Sequence, residues 1–168
     1  MKNAKFYKVS YEQFKDSMVD EFGLEDEIIE KKYNALTLPK RATTGSAGYD
    51  FYSPVDFVLK PGETIKIPTG IRCEMVENLV LMIYPRSGLG FKYRLQLNNT
   101  VGVIDSDYFY SDNEGHIFIK ITNDSNEGKI VEVKEGQGFA QGIFMQYFVT
   151  DDDEVTEKRN GGFGSTTK

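Results

Sequence analysis

"FVLKPGETIKIPTGIRCEM", Phe57 to Met75, breaks into short apolar runs at Pro61-Gly62 and again at Thr69-Gly70. Within Thr64-Ile65-Lys66-Ile67 and Ile71-Arg72-Cys73-Glu74-Met75, apolar and polar residues alternate, so successive side chains face opposite sides of an extended chain. Pro-Gly and Thr-Gly supply the corners between such runs. The same texture continues through "LVLMIYPRSG", Leu79 to Gly88, and through "GQGFAQGIF", Gly136 to Phe144, which reads as a turn entering a strand. Many short strands at close spacing predict an all-β sandwich or barrel.

The flanks differ from this centre. From Tyr11 to about Lys32 the chain is charged and spaces Phe14, Met18, Phe22, Ile28 and Ile29 helically, with Gly23 as a break, which predicts two short surface helices. At the other end Asp151 to Glu154 lead into "KRNGGFGSTTK", where three glycines surround Phe163. Consecutive aspartates rarely converge on one metal, so "DDDE" reads as a solvated spacer before a mobile tail. The expected organisation is a helical extension over 1–33, a β domain over 34–150 and a tail over 151–168.

The 168 residues are enough for one domain with one core. A net charge of -6 and a pI near 4.9 disfavour nucleic acid and anionic membrane surfaces as general partners, so a phosphate-bearing ligand must be met by local cations. Cys73 is the only cysteine, which excludes an intrachain disulfide and points to a reducing, cytoplasmic setting. In "IRCEM" it reads as a small buried strand residue. The N-terminus lacks an apolar signal core, and no run approaches the ~20 apolar residues of a membrane span. His116, the only histidine, stands in the polar stretch "SDNEGH" and reads as a solvated loop residue rather than a metal ligand.

Several stretches carry chemistry. In "YPRSGLGF", Arg86, Ser87 and the glycines Gly88 and Gly90 would suit an anion such as a phosphate, although Pro-Arg-Ser-Gly also makes an ordinary turn. No Gly-Lys-Ser/Thr follows, so this is not a Walker-type loop. In "GSAGYDFYSP", Asp50 is either a strand-start cap or a functional carboxylate. Gln141 is a polar residue in an apolar run, and its amide either satisfies neighbouring backbone or faces a ligand. "NNTVGVIDSDYF", Asn98 to Phe109, ends an apolar strand on Asp105, Ser106, Asp107 and Tyr108. In the tail, Phe163 offers a flat face that could stack on a base, and Arg159 a permanent charge for phosphate.

These stretches fall in the order and spacing of the five motifs of the trimeric dUTP pyrophosphatase (dUTPase) family, which the chain resembles from about Leu38 to its end. Ala47 to Asp50 match the first motif and Pro85 to Gly88 the second. Asn99 and Gly102 to Tyr108 match the third, Ala140 and Gln141 the fourth, and Arg159 with Gly161 to Ser165 the fifth.

The resemblance implies an all-β jelly-roll or β-barrel subunit, a homotrimer with active sites at its interfaces, and hydrolysis of dUTP to dUMP and pyrophosphate. It implies that Asp105 activates the water that attacks the α-phosphorus, and that Tyr108 packs against the deoxyribose and excludes a 2′-hydroxyl. Asn99 and Gly102 would meet the uracil. Arg86, Ser87, Gly88 and Gln141 would meet the phosphates, and Arg159, Phe163, Gly164 and Ser165 would close over the nucleotide. Mg²⁺ would be held by the phosphates and by waters, one of them oriented by Asp50.

The chain departs from the family pattern in places. Arg159 stands one residue closer to Gly-Gly-Phe than is usual, which makes Lys158 a second candidate for the γ-phosphate. The loop after Tyr108 is longer than the usual short turn, and the helical extension lies outside the motifs. Two rival readings remain: a dCTP deaminase-like or bifunctional nucleotide enzyme of the same fold, the deaminase needing a glutamate base, and a regulatory protein that uses the extension or the long loop to bind a partner.

Overall fold

The computed structural model describes residues 3–157 and 159. Phe57 to Met75 forms three strands, β4 (Phe57–Leu59), β5 (Thr64–Pro68) and β6 (Ile71–Met75), separated at the two expected corners. The other strands are β1 (Ala4–Lys8), β2 (Lys40–Arg41), β3 (Tyr49–Tyr52), β7 (Leu79–Pro85), β8 (Leu95–Leu97), β9 (Gly102–Ile104), β10 (Phe118–Asn123), β11 (Val131–Val133) and β12 (Gly138–Gln146). All pairings between them are antiparallel. The largest sheet runs β2-β3-β12-β7-β9, a second runs β5-β10-β8, and β1-β6 and β4-β11 form two-stranded ribbons. This is the expected all-β class in its jelly-roll form, and among the described residues no strand pairs β2 with β9 to close the large sheet into a barrel.

The two expected helices are present as α1 (Tyr11–Phe22) and α2 (Asp26–Ala35). The side chain of Ser10 caps the first by accepting from the Gln13 amide, and Gly23 ends it at φ 62, a left-handed conformation that glycine adopts without Cβ strain. Their apolar stripe is part of the core: Phe14, Met18 and Ile29 are fully buried together with Phe51, Ile67, Leu81, Ile121 and Phe139. The approach is close enough to require glycine on the β5–β6 corner. Gly70 has φ 71, and a Cβ there would lie 3.1 Å from Phe14 Cδ2.

Two elements have no counterpart in the sequence reading. Strand β1 pairs with β6 from Ala4↔Met75 to Lys8↔Ile71. Ser87–Tyr93 forms a helix of about two turns, α3, although Gly88 and Gly90 have poor helix propensity. Cys73 is buried on β6 as expected, and burial pushes its thiol up to about 12, which keeps it an unreactive hydrophobe. The solvated-loop reading of His116 is overturned. It is fully buried, with its ring between α1, the Gly70 corner and Phe118, because the docked helices roof over a loop that the sequence presents as polar. Among the described residues, no helix is long and apolar enough to cross a membrane.

Candidate active site

The end of β7 and the start of β12 assemble one cluster. In the β12 ladder Gln141 lies opposite Asp50 on one side and Tyr84 on the other, which places three of the expected motifs on adjacent strands. Asp50 Oδ1 is 3.2 Å from Arg86 Nε. Arg86 is the N-cap that precedes α3, its amide donates to Phe139 O at 3.1 Å, and Ser87 and Gly88 occupy the first turn, where backbone amides point out of the helix. Gln141 Nε2 donates to Pro85 O at 3.1 Å, so the amide satisfies neighbouring backbone while standing beside the phosphate candidates. Asp50, Arg86, Ser87, Gly88 and Gln141 thus share one end of the sheet.

A second cluster lies on the opposite edge of the same sheet. Strand β9 pairs with β7 through Leu81↔Ile104, Met82↔Val103 and Ile83↔Gly102. Between β8 and β9 the chain turns at Asn98 and Asn99, with Thr100 at φ 67, and opens a cavity of about 520 Å³. Asn99, Gly102, Ile83, Leu97 and Phe118 are among the residues lining it. A Cβ on Gly102 would lie 3.0 Å from Ile83 Cβ, so glycine keeps the sheet and the cavity wall together. Past Ile104 the chain leaves the strand at Asp105 and enters a 3-10 turn, Ser106–Tyr110.

Burial pushes the Asp105 carboxyl up, nearby Arg159 pulls it back down, and Asp107 raises it again. The net direction is upward because half-burial outweighs the arginine. Arg159 forms an ion pair with Asp105 and donates from Nε to Asp107 Oδ1 at 2.9 Å. Tyr108 is buried, donates its hydroxyl to His116 O at 2.7 Å and accepts from Asn113 Nδ2 at 2.8 Å.

Asp105 and the phosphate cluster do not meet within one chain. Because β7 and β9 are antiparallel, Asp105 leaves the ladder one residue beyond Leu81, whereas Arg86 follows Pro85 at the other end of β7. Six residues of strand span roughly 20 Å, more than the length of a triphosphate chain.

Lys66 and Lys120 escaped the sequence reading. Nothing local marks the lysines, which line the cavity only because Lys120 and Lys66 are cross-strand partners between β10 and β5. Lys158, Phe163, Gly164 and Ser165 lie outside the described residues.

Residues 34–167 match the model of the dUTPase family over most of the chain. The chain belongs to the dUTPase family. It is therefore a hydrolase of nucleotide metabolism. Among curated dUTPases, the deoxyuridine 5'-triphosphate nucleotidohydrolase of Lactococcus lactis subsp. lactis (strain IL1403) is 44% identical over 144 residues, covering 83% of this chain and 95% of the relative. The protein of that name from Haemophilus influenzae (strain PittEE) is 40% identical over 143 residues, 80% of this chain and 90% of its own. Among solved dUTPase structures, that from Streptococcus mutans superposes with a TM-score of 0.62 at 32% identity, over 87% of this chain and 98% of its own. The dUTPase from phage phi11 of S. aureus shares the fold, with a TM-score of 0.62 at 22% identity, over 93% and 97%.

Proposed function

We propose that the chain hydrolyses dUTP to dUMP and pyrophosphate at sites that two or more copies build together in a homotrimer. The observation that carries this reading is the separation just described. The phosphate cluster of Asp50, Arg86, Ser87 and Gln141 and the Asp105 carboxylate leave opposite ends of one strand, so a triphosphate whose α-phosphorus stands at Asp105 meets the phosphate cluster of a different copy. Exposed Phe91, Phe148 and Val103 give such an assembly apolar surface to bury.

In this reading the base enters the cavity beside Asn99 and Gly102, and Tyr108 stands against the deoxyribose. Asp105 accepts a proton from water as the water oxygen bonds to the α-phosphorus, and the bond from that phosphorus to the α,β-bridging oxygen breaks to release pyrophosphate. Before the nucleotide arrives, Arg159 is paired with Asp105 and Asp107. The triphosphate, with a charge of about -4, competes for the guanidinium and frees the base. Arg86 and the α3 amides stabilise the charge on the leaving group.

Among the described residues no three His, Cys, Asp or Glu side chains form a metal cage. Asp50, a hard oxygen donor beside Arg86, fits an ion held chiefly by substrate phosphates and water. Mg²⁺ bound there supplies further neutralisation of the phosphates. The lone buried Cys73 and the acidic surface suit a reducing cytoplasmic setting.

The test is incubation with each dNTP and UTP plus Mg²⁺ in H₂¹⁸O. Cleavage of dUTP with the label in dUMP supports attack at the α-phosphorus. Label in pyrophosphate, or release of ammonia from dCTP, would sink the reading in favour of another chemistry.

A further inference from the structure

The loop after Tyr108 and the helical extension lie outside the motifs, yet they meet behind the sugar-facing tyrosine. The loop folds back at once: the Ser111 amide donates to Tyr108 O at 3.1 Å, Asn113 Nδ2 donates to the Tyr108 hydroxyl, and that hydroxyl donates to His116 O. Gly115, at φ 69, lets the loop lie so close that a Cβ there would be 2.7 Å from Tyr108 O. Burial raises the Tyr108 phenol, which keeps the hydroxyl protonated and donating.

His116 is in turn held by the extension. The Gly70 amide can only donate, and it does so to His116 Nε2 at 2.9 Å. Nε2 is therefore the unprotonated nitrogen, and Nδ1–H faces Ser17 Oγ at 3.2 Å. The Ser17 hydroxyl donates onward to Gln13 O within α1 at 2.9 Å. One turn earlier, Ser10 Oγ and its amide both donate to Glu114 of the same loop, at 2.6 and 2.7 Å. The His116 ring also packs at a tilt against Phe118, a wall of the nucleoside cavity, with ring centres 4.4 Å apart, and Glu21 of α1 pairs with Lys66 on another wall.

We infer that His116 is a positioning residue for sugar discrimination: clamped between Ser17 and Gly70, it fixes the carbonyl that holds Tyr108, so the docked extension sets how strictly the enzyme rejects a ribonucleotide. The inference rests on the proposed function, which places Tyr108 at the deoxyribose. A tyrosine ring tethered at its hydroxyl excludes a 2′-hydroxyl by position. Loosened, it yields to the larger sugar while still admitting the smaller one.

The experiment measures the ratio of kcat/KM for dUTP to that for UTP in the full-length protein with Mg²⁺. This ratio cancels the concentration of active enzyme, so partial unfolding of a variant does not move it. Ser17→Ala, which removes the Nδ1–H acceptor, and Tyr108→Phe, which keeps the ring but removes the tether, should each lower the ratio roughly three- to thirty-fold. Combined, they should lower it little further, because both cut one chain of contacts. Val131→Ala, in the remote β4–β11 ribbon, should lower Tm and leave the ratio at its wild-type value. If Ser17→Ala lowers Tm as Val131→Ala does but keeps the wild-type ratio, or if the effects of Ser17→Ala and Tyr108→Phe multiply, the positioning role is overturned while the hydrolase reading stands. A wild-type protein that fails to cleave dUTP overturns both.

Discussion

Arg159 holds Asp107 Oδ1 at 2.9 Å from Nε while its terminal nitrogen pairs with Asp105, so one guanidinium bridges both carboxylates at the end of β9. The arginine is the force that lowers the Asp105 pKa against the burial that raises it. Arg159→Ala should therefore move the acidic limb of kcat/KM against pH to higher pH, because the charged carboxylate loses its stabilising partner. A profile between pH 4 and 8 checks this, and a limb that stays in place would detach Arg159 from the base in the free enzyme.

Asp105→Asn is nearly isosteric and keeps hydrogen-bonding capacity towards Arg159. Nucleotide binding, followed by calorimetry with a non-hydrolysable dUTP analogue, should persist while kcat falls by about 10²–10⁴, the usual contribution of a general base. Turnover close to wild type would remove Asp105 from that role.

The distance along β7 makes a complementation experiment decisive. Arg86→Ala and Asp105→Asn chains should each be nearly inactive alone. Co-assembled at equal ratio, about a quarter of sites should join an intact Arg86 from one copy to an intact Asp105 from another, by the cyclic symmetry of a trimer. Activity near that fraction is expected. Confirmed mixed assemblies without activity would mean that one chain supplies both residues.

Burial lowers the His116 pKa to about 3, against ~6.5 in an unfolded chain. A base with a depressed pKa binds its proton more readily when unfolded. Its contribution to stability is thus fully present above about pH 6.5 and is lost as pH falls towards 3, by up to ~1.4 kcal/mol per pH unit. The raised Asp105 carboxyl works in the opposite sense, since its contribution is lost as pH rises, and offsets part of the slope. Urea unfolding at a series of pH values should show His116→Asn with a visibly shallower decline between pH 6 and 4 than wild type. Parallel curves would mean that the ring titrates normally.

Alternation and turn chemistry determined the strands around Phe57 to Met75, because a period of two and a Pro-Gly or Thr-Gly corner act within a few residues. Helical spacing and Gly23 likewise determined α1 and α2. The site types were legible too: a carboxylate pair ending an apolar strand, an arginine and serine before glycines, a glutamine in an apolar run. Their arrangement was not, because register belongs to pairs of strands distant in sequence. Only the β7–β9 ladder shows that Asp105 and Arg86 leave opposite ends of one strand, and only the β5–β10 pairing brings Lys66 and Lys120 to the cavity. Strand β1 escaped for the same reason, being fixed by pairing with β6, whereas α3 escaped because Gly88 and Gly90 argue locally against the helix that forms. His116 shows the difference most plainly. Its neighbours Asp112, Asn113, Glu114 and Gly115 predict water around it, and its environment was decided instead by a helix about a hundred residues away and by the β5–β6 corner, which replaced that water with Ser17 and Phe14 from the one and the Gly70 amide from the other.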